Sequence, residues 1–272
     1  MASSSSDPIG AGHPGLDYEH TGAVATIWLN RPARRNAIDL VMLRGLRDLV
    51  ARADADDSVR VLLLRGAGGT FCSGFDLSVT DGQVLGRSRA PLELVSEVTE
   101  TLDLLAGLRK PTVAVVEGHA TAAGFELLIT CDFAIATQDA RIGDVHIRRG
   151  VTAGGAPSYR LPRIVGIRRA KELLMTGAII SGDEAAAWGL VNRVCGPEDL
   201  ESTVERFLAP MLESSAYTMW LTKMAADRGL DADTETLAVL EQFANALSMQ
   251  SDDAVEGARS FLEKRAPVWR HR

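Results

Sequence analysis

Aromatic side chains make up only 5% of the 272 residues. A core for this chain must come from Ala, Val, Leu and Ile rather than from packed rings. Cysteine is scarce too: Cys72, Cys131 and Cys195 are three in number and form no C-x-x-C pair. That argues against a disulfide framework or a thiolate zinc site and for reduced thiols, hence a cytoplasmic setting. No apolar run approaches the roughly 20 residues that span a bilayer, so no membrane partner is expected. Basic residues are in deficit, with 29 Lys and Arg against 36 Asp and Glu and a formal charge of −7. A surface of that sign argues against nucleic acid but leaves room for a local basic pocket around a phosphorylated ligand. Met1 to Leu16 has neither a basic n-region nor an apolar stretch, so it reads as a flexible tail and not as a secretory signal. Gly10, Gly12 and Gly15 spell G-x-G-x-x-G there, but no strand precedes them and Pro14 interrupts, so the dinucleotide reading fails.

What is present is ordinary for a soluble globular chain: 46% hydrophobic and 24% charged residues, at a length suited to one large domain. Ala23 to Leu29 reads as a strand ending at Asn30-Arg31-Pro32. Asp39 is placed to cap a helix carrying Leu43, Leu46, Leu49, Val50 and Ala53 at helical spacing. Val59 to Leu64 is a continuous apolar strand of the kind covered on both faces, closed by Gly66, Gly68 and Gly69. A helix is predicted over Leu92 to Leu108, a strand over Thr112 to Val116, a short helix over Phe125 to Thr130 and a strand over Asp132 to Ala136. Helices dominate after that: Pro157 to Val165, Ile167 to Met175, Asp183 to Trp188, then three longer ones. An α/β core followed by a helical region is the expected plan.

Two segments that follow buried strands carry the candidate chemistry. One is Gly69 to Leu77 (GTFCSGFDL), the other Gly118 to Leu127 (GHATAAGFEL). Small residues at such bends let backbone N–H groups face a ligand, and a pair of them can hold an oxyanion. The second segment opens a helix, whose N-terminal dipole adds to the effect. Glu126 lies about one turn after Ala123, so its carboxylate can face the same ligand. On spacing alone these are equally well tight turns with a solvated glutamate. His13, His20, His119 and His271 show no metal-ligand spacing, so no metal is expected. Cys72 reads as a packing residue. G-x-S-x-G and G-x-x-x-x-G-K-[ST] are both absent, which argues against serine hydrolases and P-loop NTPases.

Several blocks in order resemble the enoyl-CoA hydratase/isomerase (crotonase) family. They are Asn30-Arg31-Pro32 with Asn36-Ala37, Phe71 to Leu77, Gly118 to Leu127 with Cys131-Asp132, Arg163 to Gly166, Ala185 to Val194 with Trp188-Gly189-Leu190-Val191, and Glu256-Gly257 through Phe261 to Arg265. The resemblance runs from about Leu16 to the end. It implies an α/β fold, a crotonase-type spiral of ββα units over residues 16–200, after a tail at 1–15. A C-terminal helical oligomerisation region, 201–272, would build a homotrimer or a dimer of trimers. It implies an acyl-CoA substrate, with coenzyme A as part of that substrate and no separate cofactor. By position, the oxyanion-hole amides would be those of Phe75 and Ala123, and Glu126 would match the first catalytic glutamate of the hydratases. Ser73, Asp76, Leu77 and Ser78 would line the CoA or acyl channel, as would Ala37. Arg34 and Arg35 would lie near the CoA phosphates, and Phe261 and Lys264 would approach CoA from a neighbouring subunit.

The departures from that pattern matter as much. The second hydratase glutamate falls at His146, which is either an acid/base near neutral pH or a hydrogen-bonded structural histidine. Asp144 would share a face with it only if the segment is extended. Ala123 replaces the family's glycine and keeps the N–H while adding a methyl. Ala153-Gly154 replaces Pro-Gly, and the acidic residue that some dehalogenating relatives carry at the Gly154 position is absent. The leading expectation is a lyase adding water to an enoyl-CoA through a thioester enolate. The alternatives are double-bond isomerisation, a hydrolase or C–C-cleaving relative, and a non-catalytic acyl-CoA-binding oligomer.

Overall fold

The computed structural model describes residues 13–76, 78, 90–229 and 231–271; the predicted tail lies almost wholly outside them. Two compact units emerge. The first runs to Leu108 and resumes over Thr112–Val204; the second comprises Arg109–Pro111 and Glu205–Arg272.

The first unit is built on a six-stranded sheet. Its strands are β1 (Leu16–Thr21), β2 (Val24–Leu29), β3 (Val61–Gly66), β4 (Thr112–Val116), β6 (Phe133–Thr137) and β9 (Arg193–Cys195), in the order β1-β2-β3-β4-β6-β9. The β1–β2 hairpin is antiparallel and every later pair is parallel, with Leu64 opposite Ile27 and Ala114, and Val115 opposite Ile135. All residues of β3 and β4 are buried, as continuous apolar runs require of strands covered on both faces. A second sheet joins β5 (His119–Thr121), β7 (Arg141–Gly143) and β8 (Ile180–Ser181). Helix α1 (Leu40–Ala55) starts where predicted, Asp39 accepting the Met42 N–H at 2.9 Å. Its Leu43, Leu46, Leu49 and Val50 are buried in the core. Truncating any one of them to Ala is expected to cost about 2–5 kcal/mol.

The remaining helices of this unit are α2 (Ala90–Ala106), α3 (Ala123–Thr130), α4 (Pro157–Val165), α5 (Ile167–Thr176) and α6 (Gly182–Ala187). Helix α7 (Leu200–Leu212) carries the chain into the second unit, followed by α8 (Ala216–Arg228), α9 (Thr234–Met249) and α10 (Asp252–Glu263). Among the described residues the C-terminal region thus has four helices where three were expected. In this unit Asp253, only 1% exposed, accepts the Ser215 hydroxyl and the Arg270 and His271 backbone N–H groups. That buried carboxylate ties the last described residues to the starts of α8 and α10. Among the described residues no helix is long and apolar enough to cross a membrane.

Candidate active site

The two glycine-flanked bends are stitched to each other by main chain. Phe71 N–H donates to Glu117 O at 2.8 Å, Cys72 N–H to His119 O at 2.7 Å, and Thr121 N–H to Cys72 O at 3.0 Å. Beyond Cys72 the first bend turns to Ile38: Ile38 N–H donates to Gly74 O and Asp76 N–H to Ile38 O, both at 2.8 Å. Backbone groups alternate in direction along such an extended stretch, so the intervening Phe75 N–H points away from Ile38. Arg31 clamps this bend. Its guanidinium donates to Asp76 at 3.0 Å, to Asp39 at 3.1 Å and to the Ala37 carbonyl at 2.9 Å. Asp76 also accepts the Ser78 hydroxyl at 2.6 Å and the Ser78 N–H at 3.1 Å. The Ser78 hydroxyl bond, together with the Ser78 N–H and Arg31, holds the Asp76 carboxyl below its ordinary range despite burial.

The second bend ends at Ala122, whose φ of 51° and ψ of −120° are strained for any residue with a Cβ. Helix α3 begins at the next residue with no side-chain cap. Neither the Ala123 N–H nor the Phe75 N–H has an acceptor among the described residues. The two bends meet at Gly74, which has φ +117°: a methyl added there would lie 2.8 Å from Ala122 Cβ and 3.6 Å from the Ala123 nitrogen. Only glycine permits that approach. Two unpaired amides, those of Phe75 and Ala123, therefore flank one contact.

Glu126 sits one turn into α3, 3% exposed. Its Oε1 accepts the Gly155 N–H at 2.7 Å, and the Gly154 N–H is close enough to act on it as well. A Cβ on Gly155 would fall 2.6 Å from the Glu126 carboxyl and 2.5 Å from Leu102 of α2, so the glycine is what lets this clamp form. Sequence reasoning noticed Gly154 and missed Gly155; the Gly-Gly pair was the available signal. Burial raises the Glu126 carboxyl above its ordinary value, against the pull of the His146 charge and the clamping amides.

His146 opens a short 3-10 turn, His146–Arg149, separated by two residues from the end of β7. The segment is not extended, yet Asp144 reaches the ring: its Oδ1 accepts the His146 backbone N–H at 3.0 Å and meets Nδ1 at 2.8 Å. The turn brings the two side chains together without the extended segment that spacing alone would have required. Burial works to lower the His146 value, but the Asp144 bond and the charges of Glu126 and Asp144 outweigh it and the net shift is upward. Glu126, His146 and Asp144 thus form one electrostatically linked set.

The other expected site residues are dispersed. Arg35 is exposed and left-handed, with φ 50°, and Ala37 is buried. Ser73 is half-buried, its N–H bonded to Arg35 O at 3.0 Å. Ser78 is exposed, and Leu77 lies outside the described residues. His119, named in the sequence only as a loop histidine, is lowered by burial and by the charges of Arg35 and Arg141, so these three stand together. Phe261 and Lys264 belong to the second unit, Phe261 on α10 and 83% exposed, Lys264 at its left-handed C-cap. Cys72 is buried and its thiol is pushed up to about 12, which makes it inert as a nucleophile near neutral pH. Among the described residues no group of three or more His, Cys, Asp or Glu is placed to hold a metal ion.

A family model described as enoyl-CoA hydratase/isomerase matches residues 19–272. The chain belongs to the enoyl-CoA hydratase/isomerase family. It is 33% identical over 243 residues to a crotonyl-CoA hydratase of Syntrophomonas wolfei, covering 89% of this chain and 92% of that one. Among solved structures it resembles an enoyl-CoA hydratase of Bacillus anthracis with a TM-score of 0.90 at 30% identity, covering 95% and 100% of the two chains. An enoyl-CoA hydratase of Mycobacterium smegmatis aligns with a TM-score of 0.89 at 33% identity over 94% and 99%. The fold is therefore that of this family, the crotonase fold.

Proposed function

We propose that the protein is an enoyl-CoA hydratase. The observation that carries the reading is the pair of unpaired amides, Phe75 and Ala123, brought together at Gly74 beside a buried carboxylate linked to a histidine. A thioester carbonyl between those amides gains two donors as its oxygen becomes an enolate oxyanion, and removing one such donor typically costs 10²–10³-fold in rate. Glu126, held by Gly155, takes a proton from the attacking water; His146 returns one to the α carbon. The hydratase relatives in Syntrophomonas wolfei and Bacillus anthracis support the same chemistry by similarity. Arg35 and Arg141, both acting on His119, offer positive charge to the CoA phosphates on an otherwise acidic protein. A trimer of such chains would cover the exposed Phe243 and Leu247 of α9 and Phe261 and Leu262 of α10.

Crotonyl-CoA tests the reaction, because hydration abolishes the enoyl-thioester absorbance. Glu126→Gln is expected to lower kcat by about 10²–10⁴-fold while CoA-thioester binding persists. Unchanged turnover in that variant removes Glu126 from the chemistry. Exchange of α protons into deuterated water without loss of the chromophore would replace hydration by isomerisation. Binding with neither would leave an acyl-CoA-binding protein.

A further inference from the structure

The mechanism above leaves one buried group in the site without a role. Asp144 is 1% exposed and follows β7 directly. Its Oδ1 serves two donors at once, the His146 backbone N–H at 3.0 Å and the His146 Nδ1 at 2.8 Å. Its Oδ2 is buried and has no hydrogen-bond partner among the described residues. A carboxylate withdrawn from water needs its charge compensated, and among the described residues the side chain that can pair with this one, when its ring is protonated, is that of His146. The ring's other nitrogen, Nε2, makes no hydrogen bond among the described residues, and the side chain keeps 20% of its surface exposed. One ring nitrogen is thus spoken for and the other is available.

We propose that Asp144 is a positioning residue for the proton transfer: it holds His146 in the form that carries its proton on Nδ1, leaves Nε2 as the atom that serves the substrate, and supplies a negative charge that favours the protonated ring. The inference deepens the hydratase reading and rests on it for the identity of the substrate. The geometry favours one tautomer: an ionised Asp144 whose Oδ1 already accepts the His146 backbone N–H can only accept at Nδ1 as well, so Nδ1 donates. The proposed step starts from Glu126 and Asp144 ionised and His146 protonated on both ring nitrogens. As the water oxygen bonds to the β carbon, a water proton passes to Glu126, the π electrons of the double bond move into the enolate, and the Nε2 proton passes to the α carbon. Glu126 ends neutral, His146 ends neutral and Asp144 stays anionic. One net negative charge is present before and after, and a proton returned from Glu126 to His146 resets the site. The charged groups acting on the ring are Glu126 from α3 and Asp144; α5, packed against the 146–149 turn, adds none among the described residues.

Nitrogen-15 NMR of the full chain with labelled histidine tests this without substrate, His146→Gln supplying the assignment. The expected result is a His146 that carries its neutral-form proton on Nδ1 and titrates at least one pH unit lower in Asp144→Asn than in the parent. Asn is the informative change, since its Oδ1 can still accept both His146 donors while the charge is gone. In steady state with crotonyl-CoA, Asp144→Asn should lower kcat about tenfold or more with KM within twofold, and the limb of the kcat–pH profile that reports His146 should move down with the NMR midpoint. A proton on Nε2 in the neutral parent, or an unmoved midpoint in Asp144→Asn, overturns the proposal. So does a variant whose loss is confined to melting temperature. If Asp144→Asn fails to fold, the tautomer in the parent still decides. A parent that shows the tautomer and titration but no hydration would sink the reaction assigned above and leave Asp144's hold on His146 standing.

Discussion

The two bends that present the unpaired amides are held by different means. At Phe75 the main chain is extended and unstrained, and side chains fix it: Arg31 bridges Asp39 and Asp76, and Asp76 gathers Ser78. At Ala123 no side chain caps the helix, and the main chain itself is bent into φ 51°, ψ −120° at Ala122. One amide is aimed by ion pairs that substitution or acid can remove. The other is aimed by a backbone conformation that the surrounding core over-determines, since every residue of α3 is buried. An oxyanion site of this kind should fail at its two sides in different ways, electrostatically at Phe75 and conformationally at Ala123.

The largest break comes from removing the second amide outright. Ala123 is the first residue of α3, the helical position where proline is best tolerated because its N–H has no helical partner. Ala123→Pro should therefore keep the helix and delete the donor. A kcat fall of about 10²–10³-fold is expected, with far-ultraviolet circular dichroism unchanged. A variant that stays folded at parental kcat would show that the Ala123 N–H touches nothing in the transition state.

The first bend should give way more gently, and with pH. Asp76→Asn keeps a polar side chain but loses the charge opposite Arg31, letting the Phe75 amide drift; a misplacement of this sort is expected to cost about 10–100-fold in kcat. Asp76 titrates below its usual range in the folded protein, so its contribution to stability is fully present above the unfolded value, about 3.9. That contribution drains away as pH falls through the lowered folded value. Parent and variant melting temperatures should thus differ most above pH 4 and converge in stronger acid. Parallel curves through that range would show that the Arg31–Asp76 pair is not what holds the bend.

Legibility in the sequence tracks the same division. Apolar runs and a cap announced β3, β4 and α1, since continuous burial and an Asp39 cap are written in adjacent residues. Strand β1 was hidden because LDYEHT buries only Leu16 and Tyr18, too few for a period to show. The two bends were legible as glycine-flanked segments. Their joining was not, for it depends on Cys72 pairing with Ala120, 48 residues on, a distance no local pattern encodes. Asp144 was visible as a nearby carboxylate, but its bond to His146 arises from a 3-10 turn, whereas spacing offered a shared face only for an extended segment. The Ala122 strain was invisible, because alanine gives no sign that its φ is positive.

That strain supplies the smallest and most discriminating prediction. A non-glycine residue held in such a conformation costs of order 1–3 kcal/mol. Ala122→Gly should release that cost and give back part of it, about 0.4–1 kcal/mol, to the greater freedom of the unfolded chain. The balance is a modest gain in stability, on the order of 1 kcal/mol, readable as a higher denaturation midpoint with an unchanged slope. Turnover should hardly move, because the surrounding core, not the Ala122 methyl, sets where the next amide points. A drop in kcat alongside the gain would mean that the methyl, which lies against Gly74, is itself a wedge fixing the separation of the two amides. The two sides of the site would then be coupled through that single contact instead of being held independently.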